Sequence, residues 1–122
     1  EAEGEAIKAA IANKKSNPTS GKLQFISKAI NKNNLQELLP FPEDFKEAVV
    51  MDPPRQGPKR GVISELCNRQ PEKVLHIHCN TDLIPESVRE WEKGGYRPSR
   101  IVPLDMFPGT PHLEVLIKFE PV

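Results

Sequence analysis

Several things are scarce in this chain, and each shortage removes a class of function. No stretch approaches the ~18 consecutive apolar residues of a membrane span, and no basic-then-apolar leader opens the sequence, so a soluble protein with no membrane partner is expected. Cysteine is limited to Cys67 and Cys79, in dissimilar contexts and without a CxxC spacing. Neither a disulfide framework nor a zinc ribbon is suggested, and the expected setting is intracellular and reducing, be it cytoplasm, nucleus or mitochondrion. Charge of either sign is not in surplus: 17 lysines and arginines meet 17 aspartates and glutamates, for a formal net charge of zero. No global field recruits a polyanion, so an RNA substrate would draw most of its phosphate contacts from other parts of a larger protein. Internal repeats and low-complexity tracts are also missing. What remains is 122 residues, the size of one ordinary domain able to bury a core.

Within that length, periodicity marks an alternation of elements. Glu3 to about Lys15 carries Ile7, Ala10 and Ile11 at helical spacing, Asn17 to Gly21 is a loop, and Lys22 to Ile26 reads as a short strand. Leu35, Leu38 and Leu39 suggest a helical turn or two stopped by Pro40 and Pro42. Ala48 to Met51 is a continuous apolar run, as expected of a central strand covered on both faces, and it ends on Asp52-Pro53-Pro54-Arg55. Val62, Ile63, Leu66 and Cys67 form the stripe of a short helix. Val74 to Asn80 alternates as a strand, with Leu75, Ile77 and Cys79 on one face and Val74, His76 and His78 on the other. Pro85, with Ile84, Val88 and Trp91 on one face and Gly94-Gly95 at the stop, punctuates another helix. Tyr96 to Met106 is extended, Phe107 to Pro111 is a tight loop, and Leu113 to Phe119 returns as a strand. This order predicts an α/β fold: a mostly parallel sheet with helices on both faces, finished by a β-hairpin.

That topology predicts a meeting. Asp52 and Cys79 both follow parallel strands, and the antiparallel last strand brings Glu114 back to the same carboxyl edge, where open α/β sheets bind ligands. A carboxylate, a thiol and a second carboxylate from distant parts of the chain converge there. Each also has a plainer reading: Cys79 as a small buried hydrophobe, Asp52 as a solvated residue at a proline-stopped strand. A rigid Asp-Pro-Pro turn suits a planar amide or amine ligand, but Arg55 stands where an amino-group methyltransferase has a stacking aromatic. Alternation turns Cys79 away from His76 and His78 and no fourth ligand is evident, so no metal is expected. Arg55, Lys59 and Arg60 form a basic cluster suited to RNA phosphate or simply to water.

Three ordered motifs carry a resemblance. Asp52-Pro53-Pro54-Arg55, the strand ending on Cys79-Asn80, and Asp105-Met106-Phe107-Pro108 followed by Thr110, His112 and Glu114 resemble the carboxyl-terminal part of the RNA uracil-5 methyltransferases. The resemblance implies a partial class I, Rossmann-like fold using S-adenosylmethionine, with residues 1–122 as the carboxyl-terminal portion of the catalytic domain. The first strand and the glycine-rich cofactor loop would lie before Glu1. It further implies methylation of carbon 5 of a uridine, in tRNA rather than ribosomal RNA, with Cys79 as nucleophile and Glu114 as base. Asp52 would face the uracil edge and border the cofactor, Arg55 would contact substrate, and Glu1 would bond the cofactor ribose. The competing expectations are a non-catalytic module that binds RNA or protein and, more distantly, methylation of a pyrimidine carbon in DNA. A sheet lacking its central strand would also expose edges, so self-association, or poor order near residues 1–30, is expected.

Overall fold

A computed structural model describes residues 1–18, 21–39 and 46–122. Four helices and four strands follow in the order α1 (Gly4–Ser16), α2 (Leu35–Leu38), β1 (Ala48–Met51), α3 (Val62–Asn68), β2 (Lys73–His78), α4 (Ile84–Lys93), β3 (Tyr96–Leu104) and β4 (Glu114–Pro121). The strands form one sheet in the spatial order β1-β2-β4-β3. The expected closing hairpin is present, and its second strand, β4, inserts between β2 and β3. Because β4 runs antiparallel to both neighbours, parallel pairing among the described residues is between β1 and β2, and the sheet is a partial, mixed one that ends in the expected antiparallel hairpin.

The core lies against one face of this sheet. Val74, His76 and His78 of β2 and Val115, Ile117 and Phe119 of β4 are buried, while their alternates are only partly covered. That is the period-2 signature of a sheet packed on one side. The packing layer is α3, through Val62, Ile63, Leu66 and Cys67, together with α4, through Ser87 and Trp91. The expected cover on both faces is therefore not supplied by the described helices. Trp91 is the centre of the core: its ring stacks on Phe119 at 5.4 Å between centroids and meets Tyr96 edge-on at 5.6 Å. The Tyr96 hydroxyl donates to the Pro71 carbonyl at 2.8 Å, and burial pushes that phenol up to about 12.

The ends of α3 and α4 are fitted closely. A Cβ at position 94 would overlap the Cys67 side chain, so glycine there lets the two helices meet. Gly95 then turns the chain into β3 with φ +85°, a conformation that favours glycine. Arg69, at the end of α3, is buried and paired with Glu47, and it donates to Gln36 Oε1 at 3.0 Å. This ties α3 to the residue before β1 and to α2.

Two expectations change. Lys22 to Ile26 is extended but pairs with no strand among the described residues: the Glu1 amino group donates to Ile26 O, Lys14 Nζ donates to Leu23 O at 3.2 Å, and just beyond the segment Lys28 N–H donates to Glu1 O at 2.9 Å. β1 is an edge strand among the described residues rather than a central one, and Val50 is 68% exposed. On β2 the histidine face is the buried one, and the Leu75, Ile77, Cys79 face is only partly covered. The proline stop at Pro40 and Pro42 lies outside the described residues. α1 forms as expected but buries no residue fully.

Two outcomes follow from this packing. Trp91→Ala empties the centre of the core and lowers stability by about 3–5 kcal/mol, read as a shift of the urea unfolding midpoint. The free edge and apolar outer face of β1 make the isolated chain self-associate, and Val50→Lys shifts its sedimentation toward the monomer.

Candidate active site

The site begins with the pairing of β2 and β4. His78 lies opposite Val115, so continuing the antiparallel register by one residue sets Cys79 opposite Glu114. Directly opposed residues in such a pair have Cβ atoms about 4.5–5.5 Å apart. On the other flank, the parallel register of Met51 with His76 sets Asp52 beside Ile77 and Pro53 beside His78. Pleating then turns Asp52, Cys79 and Glu114 to one face, opposite to α3 and α4. The thiol lies 4.0 Å from the Pro53 carbonyl oxygen, a long sulfur contact that joins the end of β2 to the Asp-Pro-Pro turn.

Three loops close around this edge. Gly57 N–H donates to Pro54 O at 2.7 Å, forming a turn across Arg55 and Gln56. Asn80 serves two loops at once: its side-chain oxygen accepts from Asp82 N–H at 3.2 Å, capping the short 3-10 turn Thr81–Leu83 before α4, and its amide nitrogen donates to Arg55 O at 3.3 Å. The Arg55 guanidinium reaches His112 Nδ1 at 3.3 Å. Arginine has only donors, so His112 accepts there and carries its own proton on Nε2. The loop bearing His112 is in turn held by Thr110, whose hydroxyl donates to Phe107 O at 2.8 Å.

Behind Cys79, on the buried face, His76 and His78 form a network with α4. Trp91 Nε1–H donates to His76 Nδ1 at 3.2 Å, which makes His76 a neutral imidazole with its proton on Nε2. Ser87 Oγ stands between the two rings, 3.2 Å from His76 Nδ1 and 3.0 Å from His78 Nε2. With His76 Nδ1 already engaged by the indole, the serine proton is free to go to His78 Nε2, leaving His78 protonated on Nδ1. The rings lie 3.8 Å apart between centroids. Burial, and next the neighbouring His78, lowers His76 to about 3; burial also lowers His78. Both rings are therefore neutral at physiological pH and face away from the thiol. Neither is placed to take its proton.

A cavity of about 450 Å³ opens between the Pro53 to Arg60 loop and the start of α4, bordered by Arg55, His76, His78, Cys79 and Ser87. Cys79 thus borders the cavity, whereas Asp52 and Glu114 do not line it. Among the described residues, His76 Nε2 and His78 Nδ1 are buried donors with no partner.

Of the residues singled out in the sequence, Asp52, Arg55, Cys79 and Glu114 come to one edge. Glu1 stands apart: it is exposed, and no contact among the described residues joins it to those four. Its carboxylate accepts from Glu3 N–H at 2.8 Å, and this bond above all holds it below the usual carboxylate range. Among the described residues no group of three His, Cys, Asp or Glu is arranged to hold a metal ion. His112 was read in the sequence as part of the third motif but given no role, and Ser87 was missed. Ser87 had a readable signal, since it lies on the same helical face as Ile84, Val88 and Trp91 and is the hydroxyl that this face carries to the strand histidines.

No family model matches the chain. An uncharacterised RNA methyltransferase of Chlorobaculum tepidum is 33% identical over 115 residues, which cover 94% of this chain and 24% of the relative. One from Halalkalibacterium halodurans is 34% identical over 74 residues, 61% of this chain and 16% of the relative. The crystal structure of Pyrococcus abyssi tRNA (uracil-54, C5)-methyltransferase, in complex with S-adenosyl-L-homocysteine, superposes with a TM-score of 0.74 and 26% identity over 98% of this chain and 27% of that one. The chain belongs with the RNA methyltransferases. A putative RNA methyltransferase of Pyrococcus horikoshii, at a TM-score of 0.59 and 15% identity, shares the fold. The chain spans a quarter or less of the length of the curated relatives described here.

The histidine pair gives the fold a pH dependence of known sign. The unfolded chain binds a proton at His76 near 6.5 and the folded chain does not until about 3, with His78 lowered in the same direction, so the stability that His76 contributes is fully present above 6.5 and declines as pH falls between those values. His76→Gln, which keeps an acceptor for Trp91, flattens that decline in urea unfolding curves taken from pH 7 to pH 4.

Proposed function

We propose that the protein carrying this chain is an S-adenosylmethionine-dependent methyltransferase acting on carbon 5 of a uridine in RNA, through a covalent bond between Cys79 and carbon 6. The observation that carries this reading is the convergence of Cys79, Glu114 and Asp52 on one face of one sheet edge by strand register. Family membership supports it, and the Pyrococcus abyssi enzyme's action on a tRNA uracil favours tRNA over ribosomal RNA as the substrate.

The residue types fit the cofactor. Glu1 is an exposed carboxylate kept ionised by backbone N–H donors, the acceptor that a ribose diol needs, and Asp52 offers a second exposed acceptor at the end of β1. When bound, S-adenosylmethionine supplies an electrophilic methyl group on its sulfonium. The chain's own residues handle the base. The Cys79 thiolate adds to carbon 6, breaking the 5,6 double bond and making carbon 5 nucleophilic; a thiolate suits this step because it both attacks and leaves readily. Asp52 faces the uracil edge, and Arg55, in its rigid turn, contacts the substrate strand. Once carbon 5 is methylated, Glu114 takes its proton, the double bond re-forms and the thiolate departs. The target uridine leaves any stack to reach this edge.

Release of tritium from RNA labelled at carbon 5 of uridine tests this in the full-length protein. Wild type releases tritium only with S-adenosylmethionine present, and Cys79→Ala releases none. Glu114→Gln slows release by about 10²- to 10⁴-fold while protein bonded to RNA accumulates, because addition proceeds and the proton is not removed. Release by Cys79→Ala at the wild-type rate contradicts the reading. A folded wild type that binds RNA and releases nothing is the behaviour of a non-catalytic binding module.

A further inference from the structure

We infer that His78 and Ser87 are positioning residues for Cys79, acting through the strand end rather than on the substrate; this rests on the proposed role of Cys79 as nucleophile. His78 precedes the cysteine directly, and its ring is buried, with 5% exposure, against α4. Ser87, buried at 6%, reaches His78 Nε2 at 3.0 Å and His76 Nδ1 at 3.2 Å, and Trp91 Nε1–H closes the network on His76. The His78 ring is thus held on the helix side of the sheet. A pleated chain with residue 78 fixed on one side delivers residue 79 to the other, where Asp52 and Glu114 stand.

The far side of the cysteine is clamped as well. Asn80 caps the turn that leads into α4 and donates to the Arg55 carbonyl, so Cys79 is flanked by two side chains that each bind a different element. The strand has ended at His78, and no ladder bond of β2 extends to Cys79. Side-chain anchoring on both neighbours takes the place of the ladder. Strand-edge residues without such anchors fray, and a nucleophile displaced by about 1 Å loses about 10²-fold in rate. A buried serine between two neutral histidines serves a geometric need here, holding the strand end to α4.

Ser87→Ala is the clean test, because it removes one hydroxyl and leaves the surrounding side chains in place. In the full-length protein, tritium release by Ser87→Ala falls in kcat by about 10- to 100-fold with KM for the RNA within about twofold of wild type. Ser87→Thr, which keeps the hydroxyl, restores most of the loss. His78→Gln, which keeps an acceptor for Ser87, retains more activity than His78→Ala. An unchanged kcat in Ser87→Ala overturns the inference while leaving the proposed reaction standing. Equal losses in Ser87→Ala and Ser87→Thr also overturn it, since packing and not the hydrogen bond is then responsible. Wild type that releases no tritium overturns the reaction and this inference together.

Discussion

The antiparallel pairing of β2 with β4 is the constraint on which the rest of the structure depends. A strand that returns beside β2 must run against it, because the hairpin with β3 leaves no other direction. The start of β4 therefore meets the end of β2, and Glu114 arrives beside Cys79 although 34 residues separate them in the chain. The parallel pairing of β1 adds Asp52 from the other flank. Had β4 paired in parallel, its glutamate would stand at the opposite edge. The family's three scattered motifs are one edge of one sheet.

The buried face explains how such an edge is kept in order. Three hydrogen-bonding side chains, His76, His78 and Trp91, meet around Ser87 in an otherwise apolar layer. Desolvation makes unpaired polar groups there costly, so the network is tightly defined where it is satisfied. It also keeps both histidines neutral, removing them as bases for the thiol. Two sides of one strand thus divide the work: the covered side holds the backbone, and the open side is the one on which the proposed reaction depends.

Much of this was legible in the sequence because it follows from local period and from chain order. The alternation of Val74 to Cys79, the proline and glycine punctuation of α4, and the hairpin were readable, and with them the convergence of Asp52, Cys79 and Glu114. What failed were inferences about neighbours. The apolar run Ala48 to Met51 looked central, but whether a strand has partners on both sides is a property of other segments. Lys22 to Ile26 has the composition of a strand, but its backbone meets the Glu1 amino group and the Lys14 side chain rather than a second strand. Alternation alone left open which side of β2 is buried; α4 offers a serine and an indole N–H that make the histidine face the better fit. The link between Arg55 and His112 spans 57 residues and has no local signal.

The central claim is that strand register makes Cys79 the residue that bonds the substrate. Its most direct test is to incubate the full-length protein with RNA containing 5-fluorouridine in the presence of S-adenosylmethionine, and to map the protein–RNA crosslink by mass spectrometry. Fluorine at carbon 5 is not removed as a proton is, so the covalent adduct persists. The account predicts a single crosslink, on Cys79. A crosslink on Cys67, whose thiol is buried and pushed up to about 11, or RNA bound with no crosslink, contradicts it.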